Sequence, residues 1–391
     1  MTDALRQWGH LAVPTVQIVG TNGKGSVSAF LENLAREHGL TTGLFTSPHL
    51  LTPRERIRIK GRILSQNKWL EWANQLCERV VIDELTYFEL LTMLAVAAFA
   101  DEQVDLAVFE AGLGGRFDAT TSLKRDMVVF TPIGLDHCEV LGQSLSEIAR
   151  DKAAAMGPFP ALTGGQEPSV LTILQEESKR RGGPLFRSDR LFSWRGPDIV
   201  SESGTGPVIP SPILRGEYQR QNGLLALAGW MLTAERTGWP IKEDACLRGL
   251  ESTKLPGRFQ FVPGEPDVLL DCAHNPAGMR ALLHSIRESN LHLVSAVFIC
   301  LKEKDLQGMI SPLLELGLER IAVPEIRDNA RARPAEEIVK ALGFRGFAAR
   351  DLGEALSMLK KKGPVLVCGS IYLIAEFFRL FPEHFPIAES D

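Results

Sequence analysis

The sequence predicts an α/β protein of two domains, one with a mostly parallel sheet behind a glycine-rich loop and one Rossmann-like. Three observations predict it. A β-rich stretch, Thr15–Val19, runs directly into the loop 20–26, Gly-Thr-Asn-Gly-Lys-Gly-Ser, and then into residues at helical spacing. Later strand-like runs, 105–109 and 127–131, are mostly or wholly apolar, as in central strands covered on both faces. Beyond Leu255 the strand–helix alternation starts again.

The elements follow in order. Val27, Phe30, Leu31, Leu34 and Ala35 give a helix that Gly39 ends as its C′ residue. A strand over 42–46 then makes a βα unit leading into a parallel sheet. Residues 66–81 and 86–101 read as helices. Ser144 with Glu147 forms a capping box before a helix that carries Lys152. The stretch 187–212 is rich in Gly, Pro and Ser and reads as a small irregular sheet. Helical patterning returns over 221–237. A boundary at Leu255-Pro256-Gly257-Arg258 divides domain 1–255 from domain 256–391. The second domain reads as strand 268–272, helix 277–288, strands 293–300 and 320–323, helices from Pro334 and Gly353, and strand 365–368.

Composition narrows the function classes. The chain of 391 residues has 45% apolar content, enough for ordinary cores. A net charge of −5, without long blocks of one sign, argues against a general nucleic-acid surface. Six scattered cysteines with no CxxC pair read as reduced thiols of a cytoplasmic protein. The first ten residues lack an apolar signal region. The apolar run 90–100 is too short to cross a bilayer and reads as a buried helix.

The loop 20–26 is the strongest chemical signal. Backbone amides of Thr21, Asn22, Gly23 and Gly25 can surround phosphate oxygens, and the helix N-terminus adds positive potential. Lys24 offsets phosphate charge, and the Ser26 hydroxyl suits Mg²⁺. The match to the general phosphate-loop pattern is imperfect, since Ile18 stands at its first glycine and Gly25 separates Lys24 from Ser26. Glu110 ends an apolar strand at the carboxyl edge of a parallel sheet, where a hard oxygen ligand suits Mg²⁺, or a carboxylate pairs with Arg116 or caps the glycine turn. Ser47 reads equally as a Mg²⁺ ligand or as turn chemistry before Pro48. Arg258 can fork onto phosphate oxygens or make an ion pair. Ser370 lies between a strand and a helix, a place for an anion or for a plain N-cap.

These motifs have a shared order. The loop 20–26, Thr46-Ser47-Pro48-His49-Leu50, Glu55-Arg56-Ile57 and Thr86-Tyr87-Phe88-Glu89 are followed by the run 110–120, Glu-Ala-Gly-Leu-Gly-Gly-Arg-Phe-Asp-Ala-Thr. Gly134-Leu135-Asp136-His137, Pro256-Gly257-Arg258, the run Asp271-Cys272-Ala273-His274-Asn275-Pro276 and Gly369-Ser370 complete the series. Together they resemble the folylpolyglutamate synthase/dihydrofolate synthase family of the Mur ligases. The resemblance implies a P-loop ATPase domain and a C-terminal glutamate-ligase domain. It implies ATP as phosphoryl donor and two Mg²⁺ ions, with His137 binding the second. It implies a carbamate, derived from CO₂, on Lys152; desolvation and nearby positive charge favour the neutral amine that captures CO₂. Asn222 and Arg258 are implied on ATP and Asp271 on its ribose. The segment holding Asn222 carries Tyr218 where histidine is usual. Phe88, Arg116 and Asp118 are implied on the pterin side, and His274 and Ser370 near the incoming amino acid. For His274 the alternative is capping of the helix at Pro276.

The reaction so implied joins L-glutamate to dihydropteroate or a folate through an acyl phosphate, in a monomer. A Mur-type ligase for another carboxylate, and a degenerate nucleotide-binding scaffold without activity, are the competing readings.

Overall fold

In this computed structural model, residues 1–203, 208–210, 214–326, 329–359 and 363–389 are described. They form two compact units. Unit 1 comprises Met1–Leu214, Gln219–Lys254 and Ile387–Asp391; unit 2 comprises Arg215–Tyr218 and Leu255–Pro386. The division is thus discontinuous, where the sequence suggested one cut. A turn of helix goes to unit 2, and the C-terminal tail goes to unit 1, where Ile63 N donates to Ala388 O at 2.9 Å.

Unit 1 holds an eight-stranded sheet: β1 (Thr15–Val19), β2 (Thr42–Phe45), β3 (Ile57–Ile59), β4 (Arg62–Ile63), β5 (Leu106–Glu110), β6 (Met127–Phe130), β7 (Ala161–Thr163) and β8 (Leu185–Arg187). Their order is β4-β3-β2-β5-β1-β6-β7-β8. From β2 to β8 the pairing is parallel, and β3 and β4 add an antiparallel edge. β1, β5 and β6 are buried at every residue, as their largely apolar sequences predict. One face is covered by helices Gln66–Arg79 and Tyr87–Asp101, which bring Trp72 and Phe99 to Phe45 and Phe109. The Phe99 and Phe109 rings lie 5.3 Å apart and tilted. Burying each such ring contributes about 2–3 kcal/mol. Beside β6, helices Leu145–Ala153 and Pro168–Arg181 set Ile148, Val170 and Leu174 against Val128 and Phe130. The Ser144–Glu147 capping box is present in full.

Within the stretch 187–212, unit 1 forms a three-stranded antiparallel sheet, β9 (Phe192–Arg195), β10 (Asp198–Ser201) and β11 (Val208–Ile209). Residues 204–207 and 211–212 of the expected stretch lie outside those described. The next helix, Glu217–Thr237, begins four residues before the 221–237 pattern.

Unit 2 holds β12 (Gln260–Val262), β13 (Val268–Leu270), β14 (Ser295–Phe298), β15 (Arg320–Pro324), β16 (Gly346–Ala349) and β17 (Val365–Cys368), in the order β12-β13-β17-β14-β15-β16. Only β12 runs antiparallel to its neighbour. Leu269, Phe298, Ile321 and Leu366 form its core with Leu282, Leu313 and Ile338 from the covering helices.

Candidate active site

In unit 1 the segments following β1, β5 and β6 converge at the carboxyl edge of the sheet, the usual ligand position in open α/β folds. The helix Lys24–Glu37 starts at Gly23, whose φ of +88° is left-handed. A Cβ there would also stand 2.5 Å from Asn222 Oδ1. Glycine meets both demands. No side chain caps this helix, so its first amides are left for an anion.

Two lysines converge on one carbonyl. Lys24 Nζ donates to Gly20 O and Thr21 O, each at 3.3 Å. Lys152 Nζ donates to Gly20 O at 2.9 Å. Lys152 is 4% exposed. Burial, helped by the Lys24 charge, lowers its pKa from the ordinary 10.5 to about 7. A large fraction of the amine is therefore neutral near pH 7.

Glu110 is also 4% exposed. Its carboxylate accepts from Ser47 N at 3.1 Å, and a Cβ on Gly25 would lie 3.5 Å from Oε2. The carboxylate thus stands against the loop. The turn leading to His137 is fastened to the same loop through Thr21, whose Oγ1 accepts from Gly134 N at 3.0 Å and donates to Gly134 O at 3.1 Å. His137 itself adopts φ +52° ahead of the short helix Cys138–Leu141. Ser26 is buried in the first turn of the loop helix. Asn222, 6% exposed, reaches Gly23 and donates from Nδ2 to Gln219 Oε1 at 3.0 Å.

Among the described residues no three His, Cys, Asp or Glu side chains gather to hold a metal by themselves. Mg²⁺ asks for less, because it keeps water and phosphate oxygens and takes one or two carboxylates. A buried Glu110 with the Ser26 and Ser47 hydroxyls is a hard-oxygen set that fits it.

On the expected substrate side, Phe88 is half-buried, 5.5 Å from the Phe45 ring. Arg116 is exposed, next to Phe117, which is 90% exposed. Asp118 turns inward. It accepts from Gly112 N at 2.8 Å, Leu113 N at 3.0 Å and Thr120 N at 3.0 Å, and so shapes the loop that presents Arg116. Burial raises its pKa against these donors.

Unit 2 carries the remaining expected residues. Asp271 is 3% exposed. It accepts from Phe259 N at 2.9 Å, from Ala273 N at 2.8 Å and from the Tyr218 hydroxyl. Burial raises its pKa, and the Arg258 charge opposes that rise. His274 places Nδ1 2.9 Å from Cys272 O. Asn275, not His274, caps the helix Pro276–Glu288, accepting from Gly278 N at 2.8 Å. Ser370 is buried and caps Ile371–Leu380, accepting from Tyr372 N at 3.2 Å.

Sequence reading missed a buried polar chain behind the site. Gln17 Nε2 donates to Thr120 Oγ1 at 2.7 Å and Thr121 Oγ1 at 2.8 Å. Arg125 Nη1 donates to Gln17 Oε1 and to Ala155 O, both at 2.6 Å. Burial lowers the Arg125 pKa to about 10. The available signal was Gln17 itself, an amide inside a strand buried on both faces. Gln166 was missed too; it holds the turn after β6 through Ile133 N at 3.0 Å and Thr131 O at 2.9 Å.

The chain has clear relatives. Residues 18–159 match the Mur ligase middle domain, and residues 257–371 the glutamate ligase domain of Mur ligases. A dihydrofolate synthase/folylpolyglutamate synthase of Bacillus subtilis is 32% identical over 402 residues, covering 96% of this chain and 93% of the relative. The protein of the same description from Escherichia coli is 32% identical over 367 residues, covering 92% and 84%. Mycobacterium tuberculosis folylpolyglutamate synthase, solved with ADP and AMPPCP, superposes with a TM-score of 0.85 at 30% identity, over 95% of this chain and 91% of that one. E. coli FolC in complex with DHPP and ADP gives 0.87 at 28% identity, over 98% and 91%. Likeness of this extent runs through both units, and the chain belongs to the dihydrofolate synthase/folylpolyglutamate synthase family, ATP-dependent ligases built on the Mur-ligase plan.

Proposed function

We propose that this ligase joins L-glutamate to dihydropteroate, to folates, or to both, through an acyl phosphate. The observation that carries the reading is the convergence of Lys24 and Lys152 on Gly20 O, with Glu110 against the same loop. That arrangement suits a triphosphate whose terminal group is being transferred.

The carboxylate of the pterin-bearing substrate attacks the γ-phosphorus of ATP. An O–P bond forms, the β–γ bridge breaks, and ADP leaves. The glutamate amine then attacks the acyl carbon, a proton leaves the nitrogen, and inorganic phosphate departs. Loop amides and Lys24 hold the phosphates in line and offset charge on the transferring group. Asn222 sets the loop at Gly23, and Arg258 forks onto phosphate oxygens. Mg²⁺ at Glu110, Ser26 and Ser47, and a second ion near His137, would supply charge neutralisation for phosphoryl transfer. Lys152 carries a carbamate in this reading. Its neutral amine forms an N–C bond to CO₂ and releases a proton, turning a cation into an oxygen ligand; the lowered pKa supports this.

Phe88 and Arg116 receive the pterin side, with Asp118 setting the loop that carries Arg116. His274 and Ser370 lie toward the glutamate. The protein acts in the cytoplasm as a monomer on small molecules. No helix of the described residues is long and apolar enough to cross a membrane.

The test is ADP release with L-glutamate plus dihydropteroate, then with L-glutamate plus tetrahydrofolate. Release with one or both is expected and divides the two activities. No release with either removes the folate assignment.

A further inference from the structure

The family resemblance sets Asp271 on the nucleotide ribose, but its carboxylate faces the protein. Three donors meet it: Phe259 N at 2.9 Å, Ala273 N at 2.8 Å and the Tyr218 hydroxyl. The side it holds is the turn Pro256–Phe259. That turn has two left-handed residues flanking Arg258: Gly257 at φ +63° and Phe259 at φ +49°. The first conformation suits glycine; for a bulky aromatic it is rare and needs support from its surroundings. At Gly257 the packing forbids any side chain, since a Cβ would lie 2.5 Å from Ile374 Cγ2. At Phe259 the support is visible. Asp271 binds its amide, Tyr218 meets its ring edge-on at 6.2 Å, and the ring is 4% exposed. Cys272 N closes the turn from the other side, donating to Gly257 O at 2.8 Å.

We propose that Tyr218 and Asp271 are a positioning pair for Arg258. Tyr218 orients the Asp271 carboxylate, the carboxylate pins the strained Phe259 amide, and the pinned turn sets the direction in which Arg258 leaves the backbone. Asp271 acts on the nucleotide through Arg258 and not by touching ribose. The inference rests on the proposed phosphate role of Arg258. It is particular to a chain with tyrosine at 218, whose hydroxyl reaches the carboxylate.

Two substitutions in the full chain test it, Tyr218→Phe and Asp271→Asn. Hydrogen exchange is followed at the Phe259 amide, and Kd is measured for ADP, 2′-deoxy-ADP and 3′-deoxy-ADP. Both variants are expected to speed exchange at Phe259. Both are expected to weaken ADP about 5-fold, the worth of one buried hydrogen bond, and the deoxy nucleotides by the same factor. In an Arg258→Ala background the loss from either substitution should shrink to less than about twofold, the mark of a coupled pair. Unchanged exchange at Phe259 in Tyr218→Phe overturns the proposal. So does an Asp271→Asn variant that loses its preference for ADP over a deoxy nucleotide. A parent protein that binds no ADP removes the nucleotide reading alone, because the exchange measurement still judges the pair. Tyr218→Phe carries that measurement by itself if Asp271→Asn does not fold.

Discussion

The strand–turn–helix junctions of the two units are built alike and finished differently. In unit 1, β1 passes through the loop 20–26 into a helix that no side chain caps. In unit 2, the turn after β13 ends in a helix capped by Asn275, and the turn after β17 ends in one capped by Ser370. Each capped helix has one of its orphan amides satisfied from within the protein. Of these three junctions, the open one leaves its positive helix end available to an outside anion. Charged groups differ at these junctions: Lys24 and Lys152 crowd the open one, whereas Asp271, beside the turn after β13, is engaged by three internal donors, as Asp118 is elsewhere in unit 1. Both units spend polar groups on holding turns, Asp118 and Gln166 in unit 1 and Asp271 and Asn275 in unit 2, and the contrast is confined to the loop 20–26.

The largest break in that comparison should come from Lys24→Met. Removing the cation proposed to face the transferring phosphoryl group is expected to cut single-turnover ADP formation about 10³-fold, with the circular dichroism unchanged. A loss below about tenfold would mean that the open junction does not carry the chemistry. Gly23→Ala comes next. It forces a Cβ into a left-handed residue and to 2.5 Å from Asn222 Oδ1, so ADP affinity should fall about 100-fold, read by calorimetry. An equal ADP affinity in the variant would show that the amides around Gly23 are not the phosphate contacts.

The third prediction concerns pH. Lys152 titrates at about 7 in the fold against 10.5 ordinarily. Between those values the unfolded chain binds the extra proton, so folding stability rises as pH increases through that window. The slope is at most about 1.4 kcal/mol per pH unit. In CO₂-free buffer the stability of the parent protein relative to Lys152→Met should therefore grow from pH 7 to pH 9. A flat difference would mean that the buried amine keeps an ordinary pKa, and the carbamate reading would lose its chemical support.

Much of this layout was legible in the sequence, for identifiable reasons. Parallel central strands announce themselves as apolar runs, so β1, β5 and β6 were found within a residue or so of their ends. Capping chemistry is local, which is why Ser144 with Glu147 marked a helix start correctly. Glycine loops are local too, and the loop 20–26 stood out. What escaped was long-range. Nothing near Gln17 in sequence names Arg125 or Thr121 as its partners, and nothing near Gly23 says that Asn222 fills the space beside it. The helix at Pro276 shows the same limit at short range. Two adjacent polar residues, His274 and Asn275, could each have capped it, and only backbone geometry chose Asn275. Helices Pro168–Arg181 and Leu306–Glu315 carry weak sequence signals, since one is mostly polar and the other contains Pro312.

The smallest expected effect tests the quiet half of the comparison. Asn275 spends its side chain on Gly278 N at 2.8 Å and precedes Pro276, which needs no amide partner of its own. Asn275→Ala should therefore remove about 1 kcal/mol of unfolding free energy, measured in urea, the usual worth of an N-cap. ADP affinity should stay within about twofold, because a helix end satisfied from inside offers little to an anion. If the variant instead weakened ADP as strongly as Gly23→Ala, the capped junction would belong to the nucleotide site. The contrast between an open and a closed helix end would then have misassigned unit 2.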